Sequence, residues 1–301
     1  MKVELLTHTP DPLRLMYAQT RGTTTSKGFG AVYVNPERFF PRALRERLAE
    51  CPECTEKLSR KEMVRLVTEA IRAGHLSVTR GATFTFSVEC SRSAGRQLLR
   101  HTVGVAWEEM SQRYVKLAKR ETVARLEQLI VDEDFAGAVA AYGEFFVIPP
   151  HIAAEDSALA WRWFEVRLEE IEQYVREIEA GVPAEDAREN LPNCTKTQMI
   201  STWTFEALKN FLAKRLCTRA QLPARTLAKE MRKQVLGVVP WAGPDLTVQC
   251  LPACICPEAR PDGCPLLAEN GGNVLRKEQA YAAIQAHVRQ LKALPALTPT
   301  P

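Results

Sequence analysis

A stretch of twenty residues, from Arg96 to Val115, contains many side chains that bind anions or transfer protons. Its sequence is RQLLRHTVGVAWEEMSQRYV, with arginines, glutamines, a histidine, adjacent glutamates and a serine. Gln97, Arg100 and His101 are spaced at i, i+3 and i+4, so a helix would place all three on one face. We therefore predict a helix that presents an amide, a guanidinium and an imidazole on the same side.

The second half of this stretch has the pattern of an extended segment. Glu109, Ser111 and Arg113 alternate with Met110 and Gln112, and successive side chains of an extended chain point to opposite sides. We therefore predict that Glu109, Ser111 and Arg113 turn the same way. A helix face followed by an extended polar edge can frame an anionic, planar ligand.

Simpler roles remain open for several of these residues. The spacing that Arg92 shares with Arg100 also suits a solvated helix face. No histidine and aspartate pair is linked by motif to Ser111, so we expect this serine to hydrogen-bond a ligand and not to act as a hydrolase nucleophile. Arg188 and Arg215 are also compatible with cations that complement the C-terminal ends of helices.

Composition indicates an ordinary soluble globular protein. The 301 residues are 46% hydrophobic and 25% charged, and the formal net charge is +4. This charge is too small to indicate a nucleic-acid partner, and discrete anion sites fit it better than a basic surface. We find neither a signal-peptide pattern nor an apolar run of about 18 residues, so we expect a cytoplasmic protein without a membrane partner.

Residue periodicity predicts an α+β fold, in which a mixed sheet is flanked by helices. A helix is predicted to follow the second strand directly and to carry Gln97, Arg100 and His101. The predicted strands cover residues 2–9, 82–90 and 191–204, and the other helices cover residues 11–21, 41–48, 60–73, 154–180, 183–190, 205–215, 223–236 and 276–293.

We predict one catalytic domain and a C-terminal appendage. The domain covers residues 1–240 and includes an inserted helical segment at about 117–145. Residues 241–301 are rich in cysteine and proline and form the extension, whose end, from residue 295, has the composition of a disordered tail.

Nine cysteines are an odd number, which does not suit a secreted disulfide framework. Cys51 and Cys54 have the gap of a zinc knuckle, and four late cysteines could in principle close a tetrahedral site. The late spacing is irregular, however, and no second Cys-x-x-Cys accompanies the first. We predict reduced loop cysteines and no metal. The four late cysteines are Cys250, Cys254, Cys256 and Cys264.

The polar stretch resembles the signature of flavin-dependent thymidylate synthases. In that family an Arg-His-Arg triplet comes before Ser-x-Arg-Tyr, and a glutamine lies three positions before the triplet. This chain has Thr102 in place of the second arginine of the triplet, and eight residues separate Thr102 from Ser111 where the family has seven. The matching residues are Gln97, Arg100, His101, Ser111, Arg113 and Tyr114.

A second region, residues 189–225, is similar to another conserved part of the same family, in which Leu-Pro-Asn precedes a strand and a helix. The resemblance implies a site for deoxyuridine monophosphate (dUMP), with Arg113 and Arg188 on the phosphate. It also implies that Arg215 meets the base and favours its anionic form, and we count Arg215 and Ser111 as catalytic residues. The implied dUMP-binding residues are Gln97, Arg100, Glu109, Ser111, Gln112, Arg113, Arg188 and Arg215.

The flavin side of the resemblance is less complete. The positions implied to bind FAD are His75, Ser77, Arg100, His101 and Asn210. Five other positions differ from the family pattern, namely Arg80, Gly81, Thr102, Thr204 and Glu206. At two of these positions the charges are exchanged, because this chain has Arg80 where the family has a glutamate and Glu206 where the family has an arginine. We hypothesise that Arg80 and Glu206 lie close together as a reversed ion pair.

The resemblance implies a complete reaction and an assembly. FAD would mediate the transfer of a methylene group from methylenetetrahydrofolate to carbon 5 of the uracil, NADPH would be the reductant, and the enzyme would be a homotetramer. Two alternatives remain open. One is a nucleotide-binding paralogue without synthase activity, and the other is a flavoenzyme of the same fold that acts on a different pyrimidine nucleotide.

Overall fold

The structure is a computed structural model that describes residues 1–260 and 262–293. The predicted disordered tail, from residue 295, lies outside the described residues. The chain forms two compact units. The first consists of Met1–Gln19 and Ser77–Ala207, and the second of Thr20–Leu76 and the chain from Leu208 onward. We describe each unit by itself.

The structure contains both α-helices and β-strands, so the predicted α+β class is confirmed. The strands are β1 (Lys2–His8), β2 (Thr83–Ser91), β3 (Val105–Glu109), β4 (Lys196–Thr204), β5 (Ile255–Cys256) and β6 (Leu275–Arg276). The helices are α1 (Pro12–Gly22), α2 (Phe29–Val34), α3 (Arg42–Glu50), α4 (Thr55–Arg72), α5 (Arg92–Leu99), α6 (Arg120–Val131), α7 (Phe135–Phe145), α8 (Pro150–Ala153), α9 (Ala158–Glu179), α10 (Ala184–Ala187), α11 (Phe205–Arg215), α12 (Leu222–Val238), α13 (Cys250–Ala253) and α14 (Lys277–Ala293).

The first unit is built on a four-stranded sheet in the order β1-β2-β4-β3. All three strand pairs in this sheet are antiparallel, and the parallel pairing occurs between β5 and β6 of the second unit. Every second residue of β2, including Phe84, Phe86 and Val88, is buried. This alternation is the pattern expected of a strand with one face on the core, and it is why the sequence reveals β2 clearly.

The segment 117–145 forms the predicted helices, α6 and α7, which pack with α9 around a single hydrophobic cluster. Tyr142 and Phe164 are fully buried there, with ring centroids 4.9 Å apart. The long helix α9 begins at Ala158, later than predicted, because the Ser157 side chain accepts a hydrogen bond from the Ala160 amide at 3.3 Å. A serine in this position caps the helix and fixes its first turn.

The helix of the polar stretch is shorter than predicted. Helix α5 ends at Leu99, Arg100 is its C-terminal cap, and His101 lies beyond it. The prediction that His101 shares a helix face with Gln97 and Arg100 is therefore wrong. The physical reason is the start of β3, which must pair with β4 from Val105 onward, so the chain has to turn just before that residue.

Gly104 makes this turn, with φ of +73°. Its carbonyl accepts the Thr204 amide at 2.9 Å, and a Cβ added to Gly104 would lie 2.7 Å from the Thr204 hydroxyl oxygen. That hydroxyl caps α11 by accepting the Ala207 amide at 3.2 Å. One glycine therefore sets the direction of β3 and leaves room for the cap of the next helix.

We expect Gly104→Ala to lower the free energy of unfolding by about 2–4 kcal/mol, because it combines left-handed backbone strain with damage to a helix cap. Gly181→Ala is the matched control, since Gly181 has φ of +88° but no atom within 4 Å of an added Cβ. The control should lose only about 1 kcal/mol. Urea unfolding measures both, and equal losses would contradict a steric role for Thr204.

The second unit contains helix α12, whose residues Leu227, Met231 and Val235 are buried. Its late segment holds β5, β6 and a small hydrophobic cluster that includes Cys250, Cys256 and Cys264. Among the described residues, no helix is both long enough and apolar enough to cross a membrane.

The two early cysteines of this unit differ from the prediction. Cys51 and Cys54 form a disulfide, and the other seven cysteines are free. The prediction that both early cysteines are reduced is therefore wrong. The reason is local geometry, because the short 3-10 turn Pro52–Cys54 brings the two Cα atoms to 5.4 Å, which lies within the range that a disulfide spans.

Candidate functional site

Two segments of the first unit carry most of the predicted site. One is α5 with its C-terminal cap, which holds the half-buried Gln97 and the exposed Arg100. The other begins where β3 ends, at Glu109, and continues as a loop to Arg113. His101 lies between the segments, and its carbonyl accepts the Trp107 indole N–H at 3.0 Å.

The extended segment ends earlier than predicted. Beyond the amide of Met110, which donates to the Gln198 carbonyl at 2.8 Å, the chain leaves the sheet. The carbonyl of Ser111 then accepts the amides of Tyr114 and Val115, and its hydroxyl accepts the Arg113 amide at 3.3 Å. The prediction that Ser111 and Arg113 continue a strand is therefore wrong, because these hydrogen bonds close a turn.

Gln112 is buried in this turn and is only 7% exposed. The Gln112 carbonyl oxygen accepts a hydrogen bond from the guanidinium of Arg92, which fixes the orientation of the amide. The amide nitrogen, Nε2, is buried without a hydrogen-bond partner in the described part of the chain. A buried donor left unpaired costs about 1–3 kcal/mol, and a ligand carbonyl or phosphate oxygen would remove that cost.

Arg113 and Arg188 meet on the same residue, Glu185. The Nε of Arg113 donates to the Glu185 carboxylate at 2.6 Å, and the Nε of Arg188 donates to the Glu185 backbone carbonyl at 2.9 Å. The guanidinium of Arg113 also lies 5.8 Å from the centre of the Tyr114 ring. Arg188 ends the short helix α10. Two arginines that are far apart in sequence thus contact the same residue, and a phosphate site needs more than one such guanidinium group.

Glu109 is held in place by the neighbouring strand. Its carboxylate accepts the Thr197 hydroxyl at 2.8 Å. A groove of about 320 Å³ lies beside it, lined also by Ser87, Gln198 and Ile200, and a volume of this order can hold a small ligand. These residues place a fixed acceptor at the edge of the groove.

A thiol nucleophile is not available in this part of the sheet. Cys90 lies in β2, and burial, together with the nearby negative charge of Glu109, raises the pKa of the Cys90 thiol to about 12. A thiol with this pKa is almost entirely protonated near neutral pH, and the thiolate is the nucleophilic form. The site therefore suits binding and polarisation of a ligand by arginine and amide groups, without covalent attack by Cys90.

The hypothesis that Arg80 and Glu206 are close together is confirmed. Arg80 donates through Nε and Nη2 to the two carboxylate oxygens of Glu206, and the Nη2 contact is 3.4 Å. The Arg80 side chain is 64% exposed and that of Glu206 is 19% exposed. A Cβ added to the neighbouring Gly81 would lie 2.8 Å from the amide end of Gln19, so that side chain would have to move.

The remaining predicted residues occupy both units. Ser77 belongs to the first unit and is exposed in the 3-10 turn Leu76–Thr79. His75, Asn210 and Arg215 belong to the second, where Asn210 lies in the middle of α11, Arg215 is the last residue of α11, and His75 follows α4. Their roles in binding remain predictions.

Sequence reasoning assigned no site role to three residues that hold the predicted ones in place. These are Arg92, Thr197 and Glu185, which contact Gln112, Glu109 and Arg113 respectively. Each contact joins residues at least 20 positions apart. The spacing of Arg92 and Arg100 along the sequence indicates a helix face, but spacing along the chain cannot reveal a hydrogen-bond partner on a different element.

The family model described as thymidylate synthase complementing protein matches residues 4–241. The flavin-dependent thymidylate synthase of Pyrococcus furiosus is 34% identical over 221 residues, which cover 70% of this chain and 81% of that protein. The flavin-dependent thymidylate synthase of Geobacter sulfurreducens is 31% identical over 262 residues, which cover 86% of this chain and 91% of that protein.

A solved structure shares the fold. It is the flavin-dependent thymidylate synthase from Helicobacter pylori, described as complexed with FAD and dUMP. The TM-score is 0.58 at 17% sequence identity, and the match covers 82% of this chain and all of that chain.

Proposed function

Because this chain belongs to the flavin-dependent thymidylate synthase family, we propose that it methylates dUMP to dTMP with methylenetetrahydrofolate as the one-carbon donor, FAD as the cofactor and NADPH as the reductant. The observation that carries the nucleotide part of this proposal is the turn after β3. It holds Gln112, whose buried amide nitrogen has no hydrogen-bond partner among the described residues, and its Arg113 contacts Glu185, the residue that Arg188 also contacts.

Each polar group of the site has a task that suits dUMP. Arg113 and Arg188 bind the phosphate, which requires the Arg113 guanidinium to exchange the Glu185 carboxylate for phosphate oxygens. The Gln112 amide nitrogen donates to an oxygen of the nucleotide. Glu109 accepts from it, and the Thr197 hydroxyl keeps the Glu109 carboxylate in place. Gln97, Arg100 and Ser111 complete the polar lining of this site.

Arg215, on α11, stabilises negative charge on the uracil ring. A guanidinium next to the base favours its anionic form, since opposite charges attract strongly where water is excluded. Together with hydrogen bonding by Ser111, this polarisation is the chemical contribution of the side chains. It makes carbon 5 of the uracil more electron-rich without a covalent bond from the protein.

The flavin is held by His75, Ser77, Arg100, His101 and Asn210. When bound, FAD supplies the redox chemistry of the reaction. The Arg80–Glu206 pair fits this cofactor, because the Glu206 carboxylate is neutralised by Arg80 and does not oppose the negative charge of a flavin phosphate. The exchanged charges thus preserve a neutral pair at this point of the cofactor site.

The assembly and location are part of the same proposal. The enzyme is a cytoplasmic homotetramer, in which residues 1–240 form the catalytic domain and residues 241–301 an appendage. Oligomerisation would complete the sites from residues of more than one subunit.

The test is purification of the full chain followed by flavin spectroscopy and turnover. We expect a yellow protein with flavin absorbance that converts dUMP to dTMP when methylenetetrahydrofolate and NADPH are supplied. A colourless protein that binds dUMP but that FAD cannot reconstitute would identify a nucleotide-binding paralogue. A yellow protein that binds a different pyrimidine nucleotide and leaves dUMP unchanged would identify an enzyme with another substrate.

A further inference from the structure

The Cys51–Cys54 disulfide lies between two helices and has no part in the proposed synthase site. Cys51 is the C-terminal cap of α3, and Cys54 is the N-terminal cap of α4. Both cysteines are half-buried, so each residue is partly accessible to solvent. The other seven cysteines are free thiols.

This disulfide contributes little to holding the chain together. It links residues only three positions apart, and the constraint that a disulfide places on the unfolded chain decreases as the loop becomes shorter. The turn also has its own backbone hydrogen bonds. The Cys51 amide donates to the Arg47 carbonyl at 3.2 Å, and the Cys54 amide donates to the Cys51 carbonyl at 3.0 Å. Reduction would therefore leave the turn in place.

The two sulfur atoms have different surroundings. Cys54 occupies the N-terminal cap position of α4, a helix of 18 residues, without a side-chain capping hydrogen bond, and the positive end of a helix dipole stabilises a thiolate. The Glu53 carboxylate lies 3.0 Å from the Cys51 sulfur, so in the reduced chain this carboxylate would favour the protonated thiol of Cys51. Negative charge is therefore favoured on Cys54 and disfavoured on Cys51.

We propose that Cys51 and Cys54 form a redox-active pair that exchanges reversibly with small thiols and disulfides, and that Cys54 is its nucleophile. In the reducing direction, an external thiolate attacks the Cys54 sulfur, the Cys51–Cys54 bond breaks, and Cys51 leaves and takes a proton, which the Glu53 carboxylate beside it favours. A second external thiol then attacks the external sulfur of the mixed disulfide. Both cysteines are left as thiols, and two electrons have passed from the small thiol, which becomes its disulfide.

The other cysteines offer a sharp contrast. Burial raises the pKa of the Cys250 thiol to about 11, with neighbouring cysteine thiolates as a smaller cause. Cys254 is exposed and belongs to no disulfide. It is therefore the natural internal reference for the reactivity of a single accessible thiol.

The test is to equilibrate the full chain in glutathione buffers of graded ratio, trap the free thiols with iodoacetamide, and map them by mass spectrometry. We expect Cys51 and Cys54 to change together, by two labels per chain, and to return when the buffer is reversed. The thermal midpoint should stay nearly constant. A pair that cannot be reduced in the folded chain, or a chain that unfolds when the pair is reduced, would mean a structural disulfide and would overturn the proposal.

Single variants test the role of each sulfur. Cys51→Ser leaves Cys54 alone, and Cys54→Ser leaves Cys51 alone, while the double variant measures the background from the other accessible thiols, namely Cys194, Cys217 and Cys254. We expect the remaining thiol of Cys51→Ser to react severalfold faster with Ellman's reagent at neutral pH. Equal or reversed rates would refute Cys54 as the nucleophile. Stoichiometric zinc in the purified chain that is lost in the double variant would make this a metal site and overturn the redox assignment.

Discussion

Replacing Arg113 with alanine is expected to weaken dUMP binding by about 30-fold, or about 2 kcal/mol. The reason is the loss of a charge-assisted, two-pronged contact with the phosphate, which a neutral methyl group cannot replace. Arg188→Ala is expected to have an effect of the same size, because both guanidinium groups meet on Glu185. Isothermal titration of the purified chain with dUMP measures both affinities.

A matched control is Arg120→Ala. Arg120 also forms an exposed ion pair, with Glu179, and both side chains are 48% exposed, but no prediction assigns it to the nucleotide. The control should bind dUMP with unchanged affinity. Titration with deoxyuridine, which has no phosphate, should show no difference between Arg113→Ala and the native chain. Unchanged dUMP affinity in both the Arg113 and Arg188 variants would show that the phosphate lies elsewhere.

Replacing Arg80 with alanine is expected to reduce FAD affinity by about tenfold. The variant leaves the less exposed Glu206 carboxylate without its cation, and this negative charge would then oppose the flavin phosphates. The double variant Arg80→Ala/Glu206→Ala removes the opposing charge as well, so we expect it to recover most of the affinity. FAD titration followed by quenching of flavin fluorescence measures each variant, and the double-mutant cycle isolates the coupling.

The control for this cycle is the pair Arg125 and Glu144, which is also exposed, with 49% and 54% of the two side chains accessible. Its single and double alanine variants should leave FAD affinity unchanged. If Arg80→Ala binds FAD as well as the native chain does, or if the double variant binds no better than Arg80→Ala, then the pair has no influence on the cofactor site.

Elements with strong local signals could be predicted from sequence. Strand β2 is clear because its alternating Thr, Phe and Val residues pack one face into the core. The cap of α11 by Thr204 could be predicted, since threonine is one of the residues preferred at the N-terminal cap of a helix. Burial of Leu227, Met231 and Val235 on α12 follows from their spacing.

Local signals misled where tertiary pairing dominates. The spacing of Gln97, Arg100 and His101 fits a helix, but pairing of β3 with β4 from Val105 ends that helix at Leu99. The alternation after Glu109 fits a strand, but hydrogen bonds to the Ser111 carbonyl close a turn instead. In the first case strand pairing outweighs the preference for a longer helix, and in the second case the hydrogen bonds of the turn outweigh the preference for a longer strand.

By itself, the sequence determined the α+β class, the family and the residue types that bind an anion. It also indicated the reversed Arg80–Glu206 pair, because opposite changes of charge at two positions are visible without coordinates. Only the tertiary structure decided which groups meet: Arg113 and Arg188 on Glu185, and Arg92 on Gln112. The Arg113–Glu185 and Arg92–Gln112 contacts join separate elements whose distance depends on packing of the whole unit, and residue spacing along the chain does not encode that distance.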